Sequence, residues 1–155
     1  MMGSLAPEVA VGAVVVRDDE ILLIRRGRGV AAGEWSIPGG RVRANEPLAA
    51  AVARELHEET GLEGVVNRFL GWAERMGDDP APYHYVILDF AVDLLDPTMP
   101  PIAAGDAAEA AWVTHSRLVE LNLVTGLHEF LVDVGVIPDP LDNAVKLAAG
   151  IPNRP

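Results

Sequence analysis

An α+β fold, or a sheet layered between helices, is what this sequence predicts, on three observations. Strand-like and helix-like segments are mixed without the strict alternation of a doubly wound parallel sheet. No linker divides the 155 residues into two parts that could each bury a core. Half of the chain is hydrophobic and 23% is charged, a composition that folds rather than stays disordered. The expectation is one domain over 1–155, with its core over about 9–134 and a weakly patterned tail over 138–155.

The elements follow in order. Val9 to Arg17 is Val-rich and reads as a strand. Asp18-Asp19 is a turn signal and Ile21 to Arg26 a second strand, which predicts a hairpin. Gly27 to Glu34 is a Gly-rich loop, Trp35-Ser36-Ile37 a short apolar patch, and Pro38-Gly39-Gly40 a turn. Glu46-Pro47 supplies an acidic start with proline at the first helical position, and Gly61 the stop. Between them Ala49, Val52, Ala53, Leu56 and Thr60 recur at helical steps and predict the core face. Val65 to Ala73 and Tyr83 to Leu94 read as strands around a loop over Met76 to Pro82. A Pro-rich loop spans Asp96 to Asp106, and Ala110 to Val113 is a short strand. Ser116 is placed to cap a brief helix (Arg117 to Leu121) and Thr125 a longer one (Gly126 to Val134), closed by Gly135.

Composition removes several functions. Twelve Lys+Arg against 23 Asp+Glu leave a net charge of −11. Such a chain has no broad cationic face for nucleic acid or for an anionic membrane surface. Cysteine is absent, so disulfides, thiolate catalysis and Cys-based zinc sites are excluded. The longest apolar run, Val9 to Val16, is far too short to span a bilayer, and the first residues lack a secretory pattern, so the cytoplasm is the expected location. An anionic small substrate needs its charge screened by an Arg cluster or a metal.

Glu55, Glu58 and Glu59 lie at i, i+3 and i+4 of the predicted helix, on one face beside the core stripe. Glu55 and Glu59 form a like-charge i, i+4 pair, which costs about 0.2–0.5 kcal/mol. Glu58 and Glu59 also fall in the last turn, where the helix dipole disfavours anions by about 0.3–1 kcal/mol. A solvated acidic face is the ordinary reading of such a helix, yet these violations all point one way at one place. A divalent cation would reverse the sign of each, and carboxylate oxygens suit Mg²⁺ or Mn²⁺. Arg54, four residues before Glu58, is placed to pair with it.

Gly40, five residues, Glu46, seven residues, then Arg54-Glu55-Leu56-His57-Glu58-Glu59-Thr60-Gly61-Leu62 resembles the signature of the Nudix hydrolase family, with every constrained position filled. The approach Trp35-Ser36-Ile37-Pro38-Gly39-Gly40 is also similar. The resemblance implies a mixed sheet held between helices and metal-dependent cleavage of a diphosphate bond. It implies Glu55, Glu58 and Glu59 as Mg²⁺ or Mn²⁺ ligands, joined by the Gly40 carbonyl. It implies Arg54 as the residue orienting the glutamates and Glu46 as a brace of the loop or a water-mediated metal contact. Glu55, Asp106 and Glu109 are candidates for the base that takes the proton of the attacking water.

The box addresses the diphosphate, not its flanks. The segments Tyr83 to Phe90 and Ala104 to Val113 are similar to a compact group of ADP-ribose pyrophosphatases, which implies ADP-ribose as substrate with AMP and ribose 5-phosphate as products. The alternatives are a nucleoside triphosphate pyrophosphohydrolase clearing non-canonical nucleotides and a non-catalytic nucleotide-sensing module. Arg25, Arg26 and Arg28 form the densest basic cluster and are candidate phosphate or ribose contacts, or simply a wet strand end. Trp72 and Trp112 read as structural. The apolar face of the last helix (Leu127, Leu131, Val134) either caps the core or serves a homodimer.

Overall fold

The computed structural model describes residues 5–141 and 148–150. The chain forms two compact units, Met1–Val124 and Thr125–Pro155. In the first, β1 (Glu8–Val14), β2 (Val16–Arg17), β3 (Glu20–Arg26), β4 (Trp35–Ser36) and β5 (Gly39–Arg41) precede α1 (Leu48–Thr60). Then come β6 (Gly64–Gly77), β7 (Tyr83–Leu94), β8 (Ala107–Thr114) and a 3₁₀ turn over His115–Glu120. In the second, α2 (Leu127–Asp133) buries Leu127 and Leu131. Among the described residues no helix is long and apolar enough to cross a membrane.

The strands make two sheets. One has the order β5-β1-β7-β6, with β1 and β7 parallel and the other pairs antiparallel. The second has the order β2-β3-β4, and β8 pairs antiparallel with β3. The class is α+β with mixed pairing, as the interspersed pattern predicts.

The stretch expected as one strand from Val9 to Arg17 is split at Val15. β1 runs in the first sheet, and only β2 forms the hairpin with β3. The reason lies in the run of valines. Val11, Val14 and Val15 are all 1–2% exposed, so this segment does not alternate between core and water and can pass from sheet to sheet without exposing apolar surface. Gly39 and Gly40, expected as a turn, are β-paired in β5, opposite Gly12 and Val11. β8 is eight residues rather than four, because its whole length is paired to β3. The N-cap positions fall one or two residues away from the expected Ser116 and Thr125. Thr114 and Gly126 stand at the N-caps, and neither makes a side-chain bond there.

The core is the contact of α1 with the β1 face: Val11, Ala13 and Val15 meet Ala51, Val52, Leu56 and Leu62, with Leu22 and Val92. A fully buried leucine such as Leu56 is worth roughly 1.5–3 kcal/mol of burial. Ala49 is exposed, so the inward face of α1 is turned from the expected one. Val52, Leu56 and Thr60 form one buried row, and Ala51, Glu55 and Glu59 form the row beside it. That rotation carries two glutamates inward.

Candidate active site

Strand alternation and helix periodicity together build the site. Along β5, Gly40 faces α1, and a Cβ there would lie 2.5 Å from the Glu55 carboxylate. Only glycine leaves room for that carboxylate against the strand. The Gly39 N–H donates to Glu59 Oε1 at 2.7 Å. The last turn of α1 is thus stitched to the β5 edge by the two acids of its inner row.

Arg54 organises the other side. Its Nε and Nη2 donate to the two Glu46 carboxylate oxygens at 2.7 and 2.8 Å, a bidentate pair. Its Nη1 reaches Glu55 Oε1 at 2.7 Å and Glu58 Oε2 at 3.3 Å. Nη2 also donates to the Arg41 carbonyl at 3.1 Å. Glu46 accepts the Arg43 N–H as well, which closes the loop before α1. The Arg54 hydrogen bond holds the Glu46 carboxyl down at about 2. Arg54 therefore pairs with Glu58 as expected, but its stronger partners are Glu46 and Glu55.

The three box glutamates are not equivalent. Glu58 keeps 43% of its side chain exposed, the Glu55 side chain 13%, and Glu59 as a residue only 3%. Burial raises the Glu55 carboxyl despite the Arg54 hydrogen bond. Burial likewise pushes Glu59 up to about 7, against the Gly39 N–H that favours its anion.

The segment before β8 closes the site. Ile102 N–H donates to the Thr60 carbonyl at 2.8 Å and Ala104 N–H to the Glu59 carbonyl at 3.2 Å. This carries Asp106 close enough to raise the carboxyls of both Glu55 and Glu59. Arg28 pairs with Asp106, and Gly27 N–H donates to the Asp106 carbonyl at 2.8 Å. Arg26 donates to the Val30 carbonyl at 2.7 Å, and its charge favours the Glu59 anion. Arg25 and Glu109 sit opposite each other across β3 and β8 and pair at 2.8 Å. The basic cluster thus divides: Arg26 and Arg28 join the glutamate site, while Arg25 is engaged by Glu109 on the sheet.

The NUDIX domain model matches residues 6–134. The chain belongs to the Nudix family. It is 35% identical over 117 residues to an ADP-ribose pyrophosphatase of Methanocaldococcus jannaschii, covering 76% of this chain and 68% of that one. It is equally 35% identical over 131 residues to a putative 8-oxo-dGTP diphosphatase 2 of Mycobacterium tuberculosis, covering 82% and 87%. A MutT NUDIX hydrolase of Burkholderia pseudomallei superposes with a TM-score of 0.69 at 29% identity, covering 81% of this chain and 96% of that structure. The protein is a Nudix hydrolase acting on phosphorus anhydrides, an enzyme class that works on small nucleotides with divalent metals.

Among the described residues of this Nudix site, no three acidic or histidine side chains converge on one point. Their oxygens are engaged instead: Arg54 takes one of Glu55 and one of Glu58, and Gly39 takes one of Glu59. The donor set still fits a hard cation. Glu55 and Glu59 are desolvated acids whose anions burial disfavours, held at Gly40 and Gly39 of β5, and a dication would relieve both penalties.

One acid escaped the sequence reading. Asp89 sits mid-strand on β7, 4% exposed, opposite Gly12 of β1 and Gly71 of β6. Its Oδ1 is buried without a hydrogen bond. The signal was there to find: an aspartate inside the apolar run Val86-Ile87-Leu88-Asp89-Phe90-Ala91-Val92. Trp72, expected as structural, is 64% exposed on the edge strand β6.

Proposed function

We propose that the chain hydrolyses the diphosphate of a nucleoside diphosphate linked to another moiety, with ADP-ribose giving AMP and ribose 5-phosphate after addition of one water. The observation that carries this reading is the pair of desolvated glutamates, Glu55 and Glu59, held against Gly39-Gly40. The ADP-ribose pyrophosphatase among its relatives supports the substrate. Mg²⁺ or Mn²⁺ is the cofactor, with Glu55, Glu58, Glu59 and the Gly40 carbonyl as the residues that would hold it.

When bound, the metal supplies charge neutralisation of the diphosphate and a lowered pKa for water. The chain's own groups do the rest. Arg54, fixed by Glu46, keeps Glu55 and Glu58 turned toward one another and offsets their repulsion until substrate arrives. Arg26 and Arg28 stand beside the glutamates as phosphate contacts. For the water's proton, Glu55 and Asp106 are both close by, and Asp106 is the better placed of the two downstream acids, since its charge raises the carboxyls of both Glu55 and Glu59. A second reading, conversion of an oxidised nucleoside triphosphate to its monophosphate and pyrophosphate, is supported by the mycobacterial relative.

The test is a panel of nucleotide diphosphate derivatives and oxidised triphosphates with Mg²⁺ and with Mn²⁺, products identified by mass. AMP and ribose 5-phosphate from ADP-ribose, at a kcat/KM above that for any triphosphate, is the expected result. Pyrophosphate as the main product would establish the second reading in its place.

A further inference from the structure

Asp89 has no part in the box, yet it occupies an unusual position. The first sheet has two faces. α1 covers the one carrying Val11, Ala13 and Val92, against which Leu88 and Phe90 also pack. Alternation puts Gly12 and Asp89 on the other. A Cβ on Gly12 would lie 2.1 Å from Asp89 Oδ1 and 2.7 Å from the Ile37 Cδ1 methyl. The carboxyl is therefore housed in a notch that exists because residue 12 has no side chain, and Ile37 lies beside it. Gly71, across from Asp89 on β6, is a second residue without a side chain.

The notch belongs to the same strands as the box. Gly12 pairs with Asp89 on one side and with Gly39 on the other. Gly39 gives its N–H to Glu59. Two strand spacings, about 10 Å, separate Asp89 from Gly39. That is the reach of one nucleoside from its phosphate, and β5 is the outermost strand on that side.

We propose that Asp89 is the specificity-determining residue for the nucleobase, its carboxyl donating one hydrogen bond to, and accepting one from, the amino-substituted edge of adenine. The inference rests on the reading of the site as a nucleoside diphosphate hydrolase. A buried acid with an unpartnered oxygen is costly to keep unless something pairs with it. Burial pushes the carboxyl up to about 7, with Arg75 the one charge acting against that shift. In its neutral form the group is both donor and acceptor, the complement of a ring nitrogen beside an amino group. The guanine edge offers two donors there and needs the anion. Because the residue is 4% exposed, the base has to move the Ile37 methyl aside.

The experiment is binding of AMP and GMP by calorimetry in EDTA at about pH 6, below the ionisation of Asp89, with the hydrolysis panel run in parallel. Wild type is expected to bind AMP about tenfold or more tighter than GMP. Asp89→Asn, which keeps a donor and an acceptor, should retain that ratio. Asp89→Leu, checked by circular dichroism for an intact fold, should bring it close to one. Ile37→Val, lacking the covering methyl, should bind AMP at least as tightly as wild type. Equal binding of AMP and GMP by wild type, or an unchanged ratio in folded Asp89→Leu, would overturn the proposal. The calorimetry decides it whatever the panel gives. A panel with no diphosphate cleavage strikes at the proposed function alone.

Discussion

Glu59 and Asp89 are both buried acids whose carboxyls rise to about 7, and they are built in opposite ways. Glu59 is surrounded by helpers and rivals: the Gly39 N–H, the Arg26 charge, and the carboxylates of Glu55 and Asp106. Asp89 has the charge of Arg75 and a buried Oδ1 with no hydrogen bond. The first environment concentrates negative charge and awaits positive charge. The second isolates one polar group among backbone and methyls. Like ionisation behaviour therefore does not mean like purpose; the neighbours decide whether a buried acid suits a cation or a hydrogen-bonding ligand.

The largest effect should come from Glu59→Gln. If Glu59 holds a metal, turnover falls on the order of 10³-fold, while the far-ultraviolet circular dichroism stays that of wild type. Near-normal kcat in Mg²⁺ would remove Glu59 from its side of the comparison. Next, saturating Mg²⁺ should stabilise the wild type, by roughly 2.7 kcal/mol at a hundred times Kd, and leave the melting temperature of Glu59→Gln nearly unmoved.

Gly12→Ala comes third. Its new methyl meets Asp89 Oδ1 at 2.1 Å, and overpacking of this kind costs about 1–3 kcal/mol. Adding Asp89→Ala should recover much of the loss in denaturant titrations; strict additivity of the two changes would show that the notch does not couple them.

Asp89→Asn gives a smaller, pH-dependent change. Asp89 ionises near 3.8 unfolded and near 7 folded. Between those values the folded chain keeps a proton that the unfolded chain has released, so stability falls as pH rises through that window and is level above it. Asparagine removes this dependence. By about pH 8 the variant should exceed wild type by roughly 1–2 kcal/mol, measured by thermal melts across pH in EDTA. The smallest effect belongs to Arg25→Ala, whose partner Glu109 is 53% exposed; such pairs are worth about 0–1 kcal/mol, and the melting temperature should scarcely move.

Local rules made α1 legible. Proline before the helix, Gly61 after it and the three- to four-residue apolar period all belong to that segment, and the box glutamates were visible through the rules they break. What could not be read was how far the helix is turned about its axis. Ala49 and Ala51 are chemically alike, and only packing against β1 decides that Ala51 is inside and Ala49 outside. With that rotation, Glu59 goes inward while Glu58 keeps its exposure. β5 was hidden for a similar reason: Gly39-Gly40 has turn chemistry, and pairing with β1 overrides it, where a side chain would meet the Val11 carbonyl at Gly39 and the Glu55 carboxylate at Gly40. The pairing of Arg25 with Glu109 depends on a register between strands 84 positions apart, which no local pattern carries. The notch at Gly12 likewise needs β1 and β7 side by side.

The backbone bonds from Leu95 to Glu63, Ile102 to Thr60 and Ala104 to Glu59 have a kinetic meaning. They tie the far end of the glutamate helix to a proline-containing strap, so the helix cannot fray there without the strap lifting. Amide hydrogens of Ile102 and Ala104 should then exchange with deuterium at rates that track one another, as members of one opening unit rather than as independent loop positions. Residues 96–101 lie between these anchors, so a residue inserted there should leave the grip on Glu59 intact.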